Sequence, residues 1–305
     1  MLTAIDNKLL EQIADWHGMP GGAVNIRKNG EKIERRVTAN INIVGKTDKP
    51  GIDVIIKPGT KGESVHIPVI LSQGMDDLVY NTFEVGAGAD VTIVAGCGIH
   101  NPSSHKAQHD GIHEFFVRQG ARMKYVEKHY GEGEGSGARI LNPKTIIEVE
   151  EGGVAEIEMV QIKGVDRSVR DTEVRLHKNA RLIVSERLLT YEDQTATSNI
   201  TVDMVEEDAT AQVISRSVAQ HQSQQEFHLN MYGHAPCFGH IQCDSIIMDQ
   251  AVVSSSPKII AYHTDAQLVH EAAIGKIASE QLTKLMCFGM TAEEAEQAVL
   301  KGFLK

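Results

Sequence analysis

Gly120-Ala121-Arg122-Met123-Lys124-Tyr125-Val126 is one of five copies of a device that recurs through the middle of this chain. A small or turn-forming residue, usually followed by alanine, opens a strand in which apolar and polar side chains alternate. Gly88-Ala89 leads in the same way into Val91-Thr92-Ile93-Val94, and Gly153-Val154 into Glu156-Ile157-Glu158-Met159. Asn179-Ala180 precedes Leu182-Ile183-Val184, and Asp208-Ala209 precedes Gln212-Val213-Ile214. Counted from Gly88, Gly120, Gly153, Asn179 and Asp208, the spacings are 32, 33, 26 and 29 residues. Such an imprecise period suits a β-solenoid, whose coils bury their inward side chains on neighbouring coils and tolerate loops of different length. A β-sandwich would also produce many short alternating strands, and on pattern alone the two stand level.

On either side of this region the periodicity turns helical. Between Asp6 and His17, Leu9, Leu10, Ile13 and Trp16 share one helix face, and Gly18 with Pro20 ends it. Alternating β pattern begins at Ala23. Near the C-terminus, Leu282, Leu285 and Met286 lie on one face of a helix over Ser279–Met286 that Gly289 terminates. Thr291 and Glu294 then form a capping box for a second helix with Ala295, Ala298 and Val299 as its apolar stripe. The expected organisation is an N-terminal helical segment (1–22), a β-rich core (23–272) and a C-terminal helical hairpin (273–305). So short a hairpin must pack on the β-body or on a partner.

Composition narrows the function. Among 305 residues only 5% are aromatic while 27 are glycine, so the core is built from aliphatic side chains on a frequently turning backbone. A net charge of −11 disfavours nucleic acid and anionic membrane surfaces as partners. No apolar run is long enough for a membrane-spanning helix. Cys97, Cys237, Cys243 and Cys287 form no C-x-x-C unit and no disulfide framework, and no apolar leader precedes them, which points to the reducing cytoplasm.

Two groups of residues carry metal-binding chemistry. Cys243, with the adjacent His270 and Glu271, offers a thiol, an imidazole and a carboxylate in β-rich sequence. His105, His109 and His113 recur every four residues downstream of Cys97 and His100, a spacing that keeps side chains on one strand face. Gly45-Lys46-Thr47 is not a phosphate loop, because Asn40 stands where the motif requires glycine. The glycine-rich run from Gly131 to Gly137 lacks dinucleotide-binding order and reads as a mobile surface loop.

At Gln242-Cys243-Asp244-Ser245, at Ala266-Gln267-Leu268-Val269-His270-Glu271-Ala272 and through the terminal helices to Lys301-Gly302-Phe303, the sequence resembles the SufB/SufD family of iron–sulfur cluster assembly proteins. Ala95-Gly96-Cys97 and Ala121-Arg122-Met123-Lys124-Tyr125 extend the likeness upstream to about Asp90. After the tyrosine strand, Glu127-Lys128-His129-Tyr130 replaces the family's Gln-Asn-Trp segment. The resemblance implies a right-handed parallel β-helix flanked by helices, with no catalytic activity of its own. It implies pairing through the β-helix, with itself or a paralogue, and docking of an ABC-type ATPase, SufC, through the C-terminal helices. It further implies a transient iron–sulfur cluster held by Cys243 and Glu271 with His270, and Cys97 as a second thiol. The competing expectations are a mononuclear metal enzyme using His105, His109 and His113, and a SufD-like structural partner that holds no cluster.

Overall fold

The computed structural model describes residues 2–14, 16, 18 and 20–305. Its described residues form a parallel β-helix. One wall is a ten-stranded sheet and the other an eleven-stranded sheet, and along the body the chain visits them alternately, coil by coil. Every ladder along the body is parallel. Among the described residues only two pairings, at the N-terminal end, are antiparallel, Ala23–Lys28 with Glu31–Arg36 and Ile41–Gly45 with Gly51–Ile56. The solenoid reading of the recurrence is the correct one, and the sandwich is not.

The recurring device is the corner of each coil. Gly88, Gly120, Gly152, Asn179 and Asp208 all adopt positive φ, between 54° and 66°. This left-handed region is open to glycine and the least costly for Asn and Asp among other residues. Next to the corner, Ala89, Ala121, Ala180 and Ala209 are fully buried, because each coil stacks its corner on the one before. In the third copy the left-handed residue is Gly152 rather than Gly153. A second corner, at Glu192, His221 and Asp249, repeats the conformation on the later coils. Its residue types are too varied to show in the sequence.

Inside the coils, alternate residues of each strand point to the axis. Val, Ile, Leu, Ala and Phe fill most of that space, including a stack of Phe83 on Phe115 with ring centroids 4.4 Å apart. The helix α1 (Ala4–Ala14) lies on the outer face of the first sheet, with Leu9, Leu10 and Ile13 against Ile70 and Tyr130. Its backbone comes so near that a methyl group on Gly96 would meet the Ile13 carbonyl oxygen at 2.4 Å. Asp15 and His17, placed by the sequence pattern at the end of this helix, lie outside the described residues.

At the other end come α2 (Ser279–Cys287) and α3 (Ala292–Phe303). The capping box of α3 forms as expected, with Thr291 and Glu294 bonding each other's backbone N–H. Leu300 of α3 packs on Val218 and Ile246, anchoring the hairpin to the outer face of the first sheet. No residue of α2 is buried, and Met286, Phe288 and Met290 are exposed.

The glycine-rich run from Gly131 to Gly137 is not a free loop. Its backbone stacks on the preceding coil's loop, Gly135 N–H donating to Asn101 and Gly137 N–H to Ser103. The glycines are there because a Cβ at either position would collide with that backbone at 2.2 Å or less.

Candidate functional site: a polar file inside the β-helix

The aliphatic interior is interrupted by polar side chains that fall into register. Parallel pairing places Ala95, Glu127, Met159, Glu186, Ser215 and Cys243 directly above one another on the first sheet. The adjacent inward column is Cys97, His129, Gln161, Leu188, Ser217 and Ser245. Opposite them, the second sheet supplies Asp77, His109, His113 and Arg170. All the polar members of this file are buried.

Arg170 ties the centre together. Its guanidinium donates to Glu127 Oε2 and, at 3.2 Å, to His129 Nδ1, and its Nε lies 3.9 Å from Glu186 Oε1. Glu127 also accepts from the Tyr125 hydroxyl at 3.0 Å, and Glu186 accepts from Ser198 and Ser215, each at 2.7 Å. Burial alone would raise the pKa of Glu127. The charge of Arg170 outweighs it, helped by His129, His113 and the Tyr125 hydrogen bond, and brings it down to about 2. The carboxylate is therefore ionised at neutral pH in the middle of the protein.

The imidazoles behave in the opposite way. Burial pushes His113 down to about 4 against the pull of Glu127. Burial, aided by Arg170 and opposed by Glu127, does the same to His129. Both rings are neutral at physiological pH and present lone pairs. Asp77, bound by His109 and Arg27, is held well below the usual carboxylate range although burial opposes this. The two inward thiols are pushed up, Cys97 strongly and Cys243 less so, in both cases chiefly by burial. They stay protonated unless a metal ion or a base takes the proton.

Cys97, His109, His113, Glu127 and His129 line one cavity of about 20 Å³, room for a single water-sized particle. His105 does not join them. It is exposed in the turn before the strand Ala107–Val117, so only two of the three regularly spaced histidines turn inward. Among the described residues, no group of three or more His, Cys, Asp or Glu side chains is close enough to hold a metal ion as it stands.

Cys243 is buried and closes the far end of the file. His270 and Glu271 lie on the last strand of the sheet, Ala266–Gly275, where Cys243 pairs with Ala272, Gln242 with Glu271 and Ile241 with His270. Glu271 therefore projects from the outer face, with Oε2 3.8 Å from His240 Nε2, while Cys243 projects inward. His270 shares the inner face of the terminal coil but is exposed. Within one chain the structure does not bring Cys243, His270 and Glu271 to a common point.

Sequence reasoning missed Glu127, His129, Arg170 and Glu186. A signal was present: Glu127 and His129 continue the same alternate positions as Met123 and Tyr125, which assigns them to the core face.

Over residues 72–303 the sequence matches the family described as SUF system FeS cluster assembly, SufBD core domain. It is 27% identical over 250 residues to an Archaeoglobus fulgidus protein named iron-sulfur cluster assembly SufBD family protein, covering 80% of this chain and 66% of that one. A Methanocaldococcus jannaschii protein of the same family name is 25% identical over 255 residues, 82% of this chain and 79% of its own. A Pyrococcus horikoshii one is 24% identical over 313 residues, 96% and 84%. With a Methanothermobacter thermautotrophicus relative the match spans 52% of that protein's length.

Proposed function

Because the chain belongs to the SufBD family of iron–sulfur cluster assembly proteins, we propose that it is a scaffold component on which nascent clusters are built and from which they are handed on. The observation that carries this reading is the buried file joining Cys97 to Cys243, with neutral imidazoles and the ionised Glu127 between two protonated thiols. Iron and sulfide need soft and borderline donors shielded from water, and a mixed set of S, N and O donors holds a cluster less tightly than four thiolates. That suits cargo that must leave.

The outward position of Glu271 implies that Cys243, His270 and Glu271 act together only at a seam with another chain. The terminal strand Ala266–Gly275 supports pairing there, since it hydrogen-bonds to a neighbour on one side only among the described residues. The partner in this reading is a second copy or a paralogue. The chain carries no nucleotide-binding motif, so an ABC-type ATPase of the SufC kind would supply the work through the C-terminal hairpin. The exposed Met286, Phe288 and Met290 give it an apolar surface to grip.

Anaerobic reconstitution with iron and sulfide tests the scaffold role. The expected product absorbs in the visible by sulfur-to-iron charge transfer, and Cys243→Ser loses most of its iron and labile sulfide. Unchanged iron and sulfide in Cys243→Ser would sink the assignment. The separation of Glu271 from Cys243 also favours a second reading, a SufD-like structural partner. In that case neither iron nor sulfide would be retained while ATPase docking survives.

A further inference from the structure

His109 and His113 project from the inner face of one strand on either side of Gly111. A methyl group built on Gly111 would stand 3.3 Å from His109 Nε2 and 2.8 Å from His113 Nε2. Both ring nitrogens therefore border the space that the missing side chain leaves. The other nitrogen of each ring is already engaged. His109 Nδ1 donates to Asp77 Oδ2 at 3.0 Å. His113 Nδ1 lies 3.2 Å from the Tyr125 hydroxyl, whose own proton goes to Glu127 at 3.0 Å, so the phenol oxygen is the acceptor. These partners place the ring proton on Nδ1 of each imidazole in its unprotonated form, which leaves a lone pair on each Nε2. Both residues are 94% buried, and neither Nε2 has a hydrogen-bond partner among the described residues.

Two lone pairs directed into one small buried space repel each other unless something positive or proton-donating lies between them. A carboxylate or phenol behind an imidazole is also the support that orients histidine ligands around metals. The Cys97 thiol lines the same cavity. We propose that His109 and His113, completed by water or by a rotation of the Cys97 thiol toward them, bind one borderline divalent cation of the Fe²⁺, Co²⁺ or Zn²⁺ class. Nitrogen and sulfur donors exclude Mg²⁺ and Ca²⁺, which prefer oxygen. On ligation by Cys97, the sulfur–metal bond replaces the S–H bond and the proton leaves to the buffer. Within that class, ferrous iron is the natural ion only on the assembly reading above. The site itself does not depend on it.

Titration of the metal-free full-length chain with Co²⁺ under anaerobic conditions tests this. The expected result is one tight Co²⁺ per chain with visible d–d absorption and a thiolate-to-cobalt charge-transfer feature. Cys97→Ser should remove the charge-transfer feature, and His109→Gln or His113→Gln should weaken binding at least about tenfold. Because a buried histidine substitution can disturb folding, Gly111→Ala is the second probe. It keeps every donor and fills the space between them, and it should also weaken binding while circular dichroism stays unchanged. Cys243→Ser should bind Co²⁺ normally. Absence of Co²⁺ binding, which would leave only a water in the gap, overturns the proposal. So does binding indifferent to His109, His113 and Gly111. Co²⁺ binding without cluster formation would sink the assembly reading alone, and clusters with indifferent Co²⁺ binding would sink this proposal alone.

Discussion

Replacing Arg170 by methionine removes the one guanidinium shared by Glu127 and Glu186 while keeping a stem of similar length in the core. Glu127 would then keep the Tyr125 hydroxyl as its hydrogen-bond donor, with His129 and His113 as more distant neighbours. Without the cation, burial dominates, and the carboxyl returns from about 2 to at least its ordinary 4.5. At about 1.4 kcal/mol per pH unit, losing that depression costs about 3 kcal/mol. Breaking one partner of a buried ion pair typically costs about 3–5 kcal/mol, so the two approaches agree. For 305 residues the unfolding entropy is about 0.6 kcal/mol/K, and the midpoint should fall by about 5–8 °C. The pH dependence gives the sharper test. In the wild type, with a depressed folded pKa, the stabilisation is full above the ordinary 4.5 and is lost as pH falls toward about 2. In Arg170→Met the folded pKa is raised, so protonation on acidification relieves the variant. Urea unfolding followed by circular dichroism should show a smaller gap from wild type at about pH 5 than at about pH 7. Adding Glu127→Gln should recover more than half of the loss. A loss below about 1 kcal/mol, or a gap equal at both pH values, would refute the account of a buried carboxylate held ionised by Arg170.

Three further outcomes follow from other parts of the fold. His177 bridges Glu148 at 2.8 Å and Glu206 at 3.0 Å; burial works against its charge, but hydrogen bonds to the two carboxylates outweigh it and raise its pKa. Its stabilisation is present below the ordinary 6.5 and lost as pH rises through the raised value. His177→Gln should therefore cost about 0.5 kcal/mol in urea unfolding at about pH 5.5 and almost nothing at about pH 8.5, a small figure because the glutamates are half exposed. Gly120→Ala, at φ +64° with open space around it, should cost about 1–2 kcal/mol through backbone strain alone, measured by the same unfolding curve. Phe288→Ser, on a side chain 86% exposed, should abolish pull-down of the ATPase with a change in stability under about 0.5 kcal/mol, and binding at full strength would remove the hairpin from the docking surface.

What the sequence discloses and what it hides follow from how a solenoid stores information. The corners are legible because their constraint is local: Gly88, Gly120, Asn179 and Asp208 each need the same left-handed backbone, and each shows it in its own residue type. The polar file is not, because Glu127, Glu186 and Cys243 become neighbours only through coil register, 27 to 32 residues at a time. The Cys243 and Glu271 pairing shows how fine that register is. Cys243 stands over Ala272, 29 residues on, and Glu271 is 28 residues on, so one residue turns the carboxylate to the opposite face. Regular spacing misled in the same way at His105, where the strand had not yet begun. The lining residues Glu127 and His129 were hidden by the habit of reading charged side chains as outward.

The stacked ladder also fixes a length. From the strand carrying Cys97 to the strand carrying Cys243 there are five steps along the sheet. At about 4.8 Å each, these set the two sulfurs about 24 Å apart along the axis. A disulfide needs Cα atoms within about 7 Å, so no motion short of unfolding lets these two thiols oxidise each other. Oxidants meet Cys287 first, since among the described residues it is the exposed cysteine, and the bond they make there joins this chain to another molecule. The redox states of Cys97 and Cys243 are therefore set independently, and oxidation of one leaves the other free to act.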